Sequence, residues 1–161
     1  MDSMSKESST TPDTSFDVIV IGAGFSGIYM LYRMVNLGLK VRLLEEASGA
    51  GGTWYWNRYP GARCDIESME YSYSFSEQLQ QEWKWTDKYS SQPEILEYAK
   101  HVVERFDLSR FIAFDSRVAS ATYDENETTW VIELETGQRY HARYCVMATG
   151  TLSSVNAPDF P

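Results

Sequence analysis

Phe16 to Ile21 (FDVIVI) is apolar at nearly every position, the pattern of a strand buried on both faces within a parallel sheet. The period then changes. From Ser26 onward, Ile28, Leu31, Tyr32, Val35 and Leu37 recur near helical spacing and predict one buried stripe, and Gly38 sits where a helix ends in a left-handed residue. Lys40 to Glu45 (KVRLLE) predicts a second short strand, so strand, helix and strand follow one another within about 30 residues.

Residues 49–66, GAGGTWYWNRYPGARCDI, mix glycines and large aromatics without any period and predict an ordered loop rather than a regular element. Residues 90–108 predict a helix with Pro93 in its first turn and Ile95, Leu96, Ala99, Val102, Val103 and Phe106 as its buried face. Arg117 to Tyr123, Thr129 to Leu134 and Gln138 to Tyr144 alternate as half-exposed antiparallel strands do, with Glu135-Thr136-Gly137 turning between the last two. Tyr144 to Ala148 is again apolar and predicts a last parallel strand beside the first. The expected fold class is therefore α/β, Rossmann-like, with a central parallel sheet and an inserted antiparallel β-meander. Residues 1–15 read as a disordered lead, 16–152 as one domain, and 153–161 as the start of a linker.

Composition narrows the chemistry. With 161 residues, 43% of them hydrophobic, the chain can bury a core of its own. Fourteen basic against 23 acidic residues leave a formal charge of -9, which argues against nucleic acid as a partner, since phosphate backbones are held by clustered Lys and Arg. Cys64 and Cys145 are too few for a disulfide framework, which makes the reducing cytoplasm the expected compartment. His101 and His141, far apart in sequence, read as surface histidines, and no metal is expected. The opening segment lacks the apolar centre of a signal peptide, and no stretch reaches the ~20 apolar residues of a spanning helix, so no membrane is expected either.

A lone G-x-G-x-x-G is weak, but GAGFSG at residues 22–27 leaves a predicted strand and opens a predicted helix. Gly22 permits the tight turn, Gly24 a close approach of backbone to a diphosphate, and Gly27 close packing of helix on sheet. The positive end of that helix would then meet the phosphates, which lets an acidic chain bind an anion. Glu45, 18 residues after Gly27, stands where a carboxylate accepts hydrogen bonds from an adenosine ribose and repels a 2'-phosphate, so the site suits FAD or NAD. The alternative for Glu45 is a strand-end glutamate in solvent, and Glu46, its neighbour, should point to the opposite face of the strand.

The stretch GGTWYWNRYPGARCDIES at residues 51–68 closely resembles a signature of the type I Baeyer-Villiger monooxygenases of the phenylacetone, cyclohexanone and steroid group. GAGFSG, EYSYSFSE, EWKWTDKYSSQPEIL and ARYCVMATG extend the resemblance over nearly all of the chain beyond its lead. The resemblance implies FAD and NADPH as cofactors, and conversion of ketones to esters or lactones with O2 by way of a flavin peroxide. Carried over by position, Gly22, Gly24, Phe25, Ser26, Gly27 and Glu45 would hold the FAD adenosine and diphosphate. Gly52, Thr53 and Trp54 would approach the riboflavin part, Tyr71 would border the flavin ring, and the Val118 backbone would face the adenine. Ala148, Thr149 and Gly150 would close over the cofactor. Asp65 would be the catalytic carboxylate that pairs with an arginine; its alternatives are a surface pair with Arg63 or Arg58, or a local cap before Ile66. Of Trp54, Tyr55, Trp56, Tyr59 and Tyr71, about two would serve the cofactor and the rest would be packed core.

The family fingerprint F-x-G-x-x-x-H-x-x-x-W-P, the NADPH domain, the arginine and the ketone pocket are not in this sequence. Hydride transfer needs the nicotinamide held against the flavin, so this polypeptide alone is expected to be inactive. By this resemblance residues 16–152 are the N-terminal part of an FAD-binding domain, and the polypeptide reads as a truncation, a piece of a longer protein, or one half of a split enzyme whose partner is the remaining portion. Other readings are an N- or S-hydroxylating flavin monooxygenase and a non-catalytic dinucleotide-binding module.

Overall fold

A computed structural model describes residues 14–152 and 159. Most of the expected lead and linker lies outside these residues. Of the lead, Ser15 already belongs to the first strand.

Six strands and four helices carry the frame. β1 (Ser15–Ile21) is followed by α1 (Phe25–Asn36) and β2 (Val41–Leu44), then by a single helical turn, α2 (Thr53–Trp56). Next come α3 (Glu77–Glu82), α4 (Gln92–Arg105) and a two-residue strand, β3 (Ile112–Ala113). β4 (Val118–Asp124), β5 (Thr129–Leu134) and β6 (Arg139–Met147) complete the described elements. All six strands join one mixed sheet in the order β3-β2-β1-β6-β5-β4. β1 is parallel to β2 and to β6, and β2 to β3, whereas β5 is antiparallel to both β4 and β6.

Burial explains the pattern of β1. Val18 and Val20 face one core, shared with Ile28 and Leu31 of α1 and Ala99 and Val102 of α4. Ile19 and Ile21 face a second core, shared with Leu44 and with Ile132, Leu134 and Tyr140 of the meander. A strand with cores on both sides has no polar face, and each fully buried aliphatic side chain contributes about 1.5–3 kcal/mol.

Three expectations change. The meander strand and the last parallel strand are one strand: β6 pairs with β5 at its start and with β1 from His141 to Met147. Its period breaks near Tyr144 because β5 stops flanking it there, leaving Tyr144 and Met147 exposed. Leu37 does not extend the α1 stripe; it is the C-cap and 64% exposed, and the chain turns at Gly38 with φ of 74°. His101 is half-buried against Trp83 at 5.3 Å between ring centroids, while His141 is exposed. Helix α4 forms over the middle of its expected span, with Tyr98 added to its buried face and Phe106 left outside it as the half-buried C-cap.

Candidate functional site

Parallel strands end together at one edge of the sheet, where their connections must leave a crevice. Here Ile21, Leu44 and Ala148, at the ends of β1, β2 and β6, line a cleft of about 390 Å³. Gly22 fits between its neighbours only without a side chain. Its φ is 100°, a Cβ there would stand 2.6 Å from the Ala148 oxygen, and its N–H donates to the Leu44 oxygen at 2.8 Å. Gly27 is more constrained, since a Cβ would fall 1.8 Å from the Gly22 oxygen, so α1 lies directly on the turn that precedes it.

The second glycine segment meets the first. Gly52, with φ of 55°, would bring a Cβ to 2.7 Å from Cα of Gly24, while a Cβ on Gly24 would find ordinary space at 3.6 Å from Cα of Gly52. The close approach that demands glycine is thus at Gly52. Gly24 is the N-cap of α1 and has no side-chain cap, and it lines the cleft together with Gly52 and Thr53. The uncapped, positive end of a 12-residue helix therefore opens on the cleft.

Glu45 follows the last residue of β2 and is 5% exposed. It is not a glutamate in solvent. One carboxylate oxygen accepts from the Ala23 N–H at 2.5 Å and the other from the Ala47 N–H at 2.8 Å, so it staples the glycine turn to the loop after β2. Each oxygen keeps a second lone pair for a ligand hydroxyl. Glu46 does not point away: it lines the same cleft, because β2 ends at Leu44 and strand alternation does not reach it. Its carboxylate pairs with Arg117 at 3.2 Å.

Among the expected residues, Gly22, Gly24, Glu45, Gly52, Thr53, Val118, Ala148, Thr149 and Gly150 come together on the cleft. The side chains of Phe25 and Ser26 line a separate open groove with Tyr29, Tyr73 and Phe75. Trp54 is 8% exposed and turned into the core, where its Nε1–H donates to the Tyr71 hydroxyl at 2.9 Å. Tyr71 packs against Phe25 at 5.1 Å, and burial raises its pKa, opposed by the Trp54 hydrogen bond. The aromatic that lines the cleft is Trp56, 56% exposed at the end of α2. It belongs to the aperiodic loop, where spacing gives no facing direction. Ser116 and Arg117 also line the cleft without having been singled out from the sequence.

Asp65 is exposed and makes no hydrogen bond or ion pair among the described residues. Neither local arginine holds it. Arg63 donates to the Tyr89 oxygen at 2.9 Å, and Arg58 donates to the Tyr55 oxygen at 2.7 Å with its guanidinium over the Tyr55 ring. Asp65 lies near enough to Tyr71 to help raise that phenol's pKa, after burial and the Cys64 thiol. Among the described residues no cluster of three or more His, Cys, Asp or Glu could hold a metal ion.

Backbone without side chains, an uncapped helix start and a buried carboxylate form a donor set that fits a dinucleotide: amides for the diphosphate, a carboxylate for the ribose diol. The comparisons agree. A family model described as pyridine nucleotide-disulphide oxidoreductase matches residues 18–161. A phenazine N-monooxygenase of Lysobacter antibioticus is 49% identical over 92% of this chain and 28% of its own length. A Baeyer-Villiger monooxygenase of Pseudooceanicola batsensis is 44% identical over 96% of this chain and 28% of its own. A solved structure of an oxidised steroid monooxygenase bound to NADP superposes with a TM-score of 0.88 at 56% identity, over 91% of this chain and 28% of that one. The chain thus spans little more than a quarter of the length of the relatives it matches. It belongs to the pyridine nucleotide-disulphide oxidoreductase family and is similar, within it, to the corresponding part of Baeyer-Villiger and related monooxygenases.

Proposed function

We propose that this chain is the FAD-binding part of a monooxygenase that uses NADPH and O2 to convert ketones to esters or lactones. The observation that carries the reading is the meeting of Gly22, Gly24 and Gly52 at the uncapped start of α1, beside the buried carboxylate of Glu45. Gly24 and Gly52 would face the diphosphate, Glu45 the adenosine ribose, and Val118 and Ala148 the opposite wall. When bound, FAD supplies the redox chemistry that activates oxygen. The chain's own residues hold it and exclude water from one side. Ketone substrates are supported by the names of the matched relatives, and a cytoplasmic location by two free cysteines. Among the described residues no helix is long and apolar enough to cross a membrane.

Asp65 supplies the charge for a partner contributed by another part of the protein, which its exposed and unpaired carboxylate leaves it ready to meet. In the whole protein, Asp65→Ala should lower ketone oxygenation at least tenfold while the FAD absorption band stays. An unchanged turnover would remove Asp65 from the reaction.

A second reading has its own support. The phenazine N-monooxygenase is 49% identical to this chain and the Baeyer-Villiger monooxygenase 44%, so overall similarity does not separate oxygenation at carbon from oxygenation at nitrogen. NADPH consumption by the whole protein decides between them: stimulation by phenylacetone, cyclohexanone or a steroid ketone supports the first reading, and stimulation by a phenazine alone supports the second. A yellow purified protein that releases FAD on denaturation supports both against an empty module.

A further inference from the structure

The cleft is acidic where a dinucleotide would bring negative charge. Glu45 and Glu46 both line it, in a chain of formal charge -9. Arg117 is the only cationic side chain lining it among the described residues. Its guanidinium is shared by two carboxylates, Nη1 to Glu46 at 3.2 Å and Nε to Glu135 at 3.1 Å. These acids come from separate segments, the loop after β2 and the turn between β5 and β6.

The backbone already ties those segments to the start of β4. The Ser116 N–H donates to the Glu45 oxygen at 2.8 Å, and the Glu135 N–H to the Arg117 oxygen at 3.0 Å. Exposed ion pairs add little to a fold, so Arg117 is not needed to hold these walls together. What it alone provides there is charge.

We propose that Arg117 is the charge-compensating residue of the cleft: by offsetting half of the negative charge of Glu46 and Glu135 beside Val118, it allows a dianionic diphosphate to enter. The inference rests on the dinucleotide reading above. Without Arg117, two uncovered carboxylates repel the ligand over the distance that salt allows, about 30 Å at 0.01 M and about 3 Å at 1 M. A purely structural role would not depend on salt in this way.

The test is a fluorescence titration of FAD into the flavin-stripped protein at 10 mM and 1 M sodium chloride. Arg117→Gln should bind about fivefold more weakly than the unaltered protein at the lower salt, and within about twofold of it at the higher. Arg117→Lys, which keeps the charge, should match the unaltered protein at both. Adding Glu46→Gln to Arg117→Gln should recover part of the loss at low salt. If Arg117→Gln binds equally at both salts, loses the same factor at both, or is matched by Arg117→Lys in its defect, charge compensation is overturned. Absence of FAD binding by the unaltered protein overturns the dinucleotide reading and this inference with it, whereas binding by that protein with any of the three patterns above overturns the inference alone.

Discussion

Gly24 and Gly52 stand almost in contact, yet only one of them needs to be glycine. A methyl group on Gly52 would meet Cα of Gly24 at 2.7 Å and would have to live at φ of 55°, while one on Gly24 has room and an ordinary φ of -75°. Gly52→Ala should therefore destabilise the protein by about 1–3 kcal/mol and weaken FAD binding, and Gly24→Ala should cost clearly less stability. Urea titrations of the two variants check the order; equal losses would contradict it. Glu45 lends itself to a second comparison. Its two acceptor oxygens each hold a backbone N–H, and Glu45→Gln replaces one of them by a donor facing a donor, so the flavin-free protein should lose about 1–3 kcal/mol. Denaturation without ligand is the measurement, because a residue that only touched the ribose would leave the empty protein as stable as before.

At the scale of elements, an aromatic layer supports α1 from beneath. Tyr73 donates its hydroxyl to the Phe25 oxygen at 2.6 Å, and its N–H donates to the Tyr98 hydroxyl at 2.9 Å. Burial raises the pKa of Tyr71, Tyr73 and Tyr98 above the ordinary phenol value of 10, so the folded protein keeps protons that the unfolded chain gives up. Stability tied to these groups is complete below pH 10 and falls as the pH rises above it. The urea midpoint should drop steeply from pH 10 to 11, and less steeply in Tyr98→Phe; parallel slopes would show that Tyr98 ionisation plays no part. The β1–α1–β2 unit was legible in the sequence because two cores make β1 wholly apolar and the glycines mark its exit. α3 was not, since EQLQQE buries only Leu79 and carries no period. β6 was read as two strands because its neighbours change halfway along it. At the cleft, the glycines and Glu45 were legible from chemistry that few other residues can perform. Glu46, Trp56 and Arg117 were not, because their directions depend on where β2 stops and how an aperiodic loop folds.

The molecule as a whole is acidic, so the positive character of the proposed anion site comes mainly from backbone amides and a helix end, with Arg117 the one cationic side chain on the cleft among the described residues. The most direct test is a crystal structure of the protein grown with FAD. The diphosphate should lie within about 3 Å of backbone N–H groups at the start of α1, with the adenosine ribose against the Glu45 carboxylate. A cleft left vacant at saturating FAD, or a diphosphate held by side chains elsewhere, would contradict it.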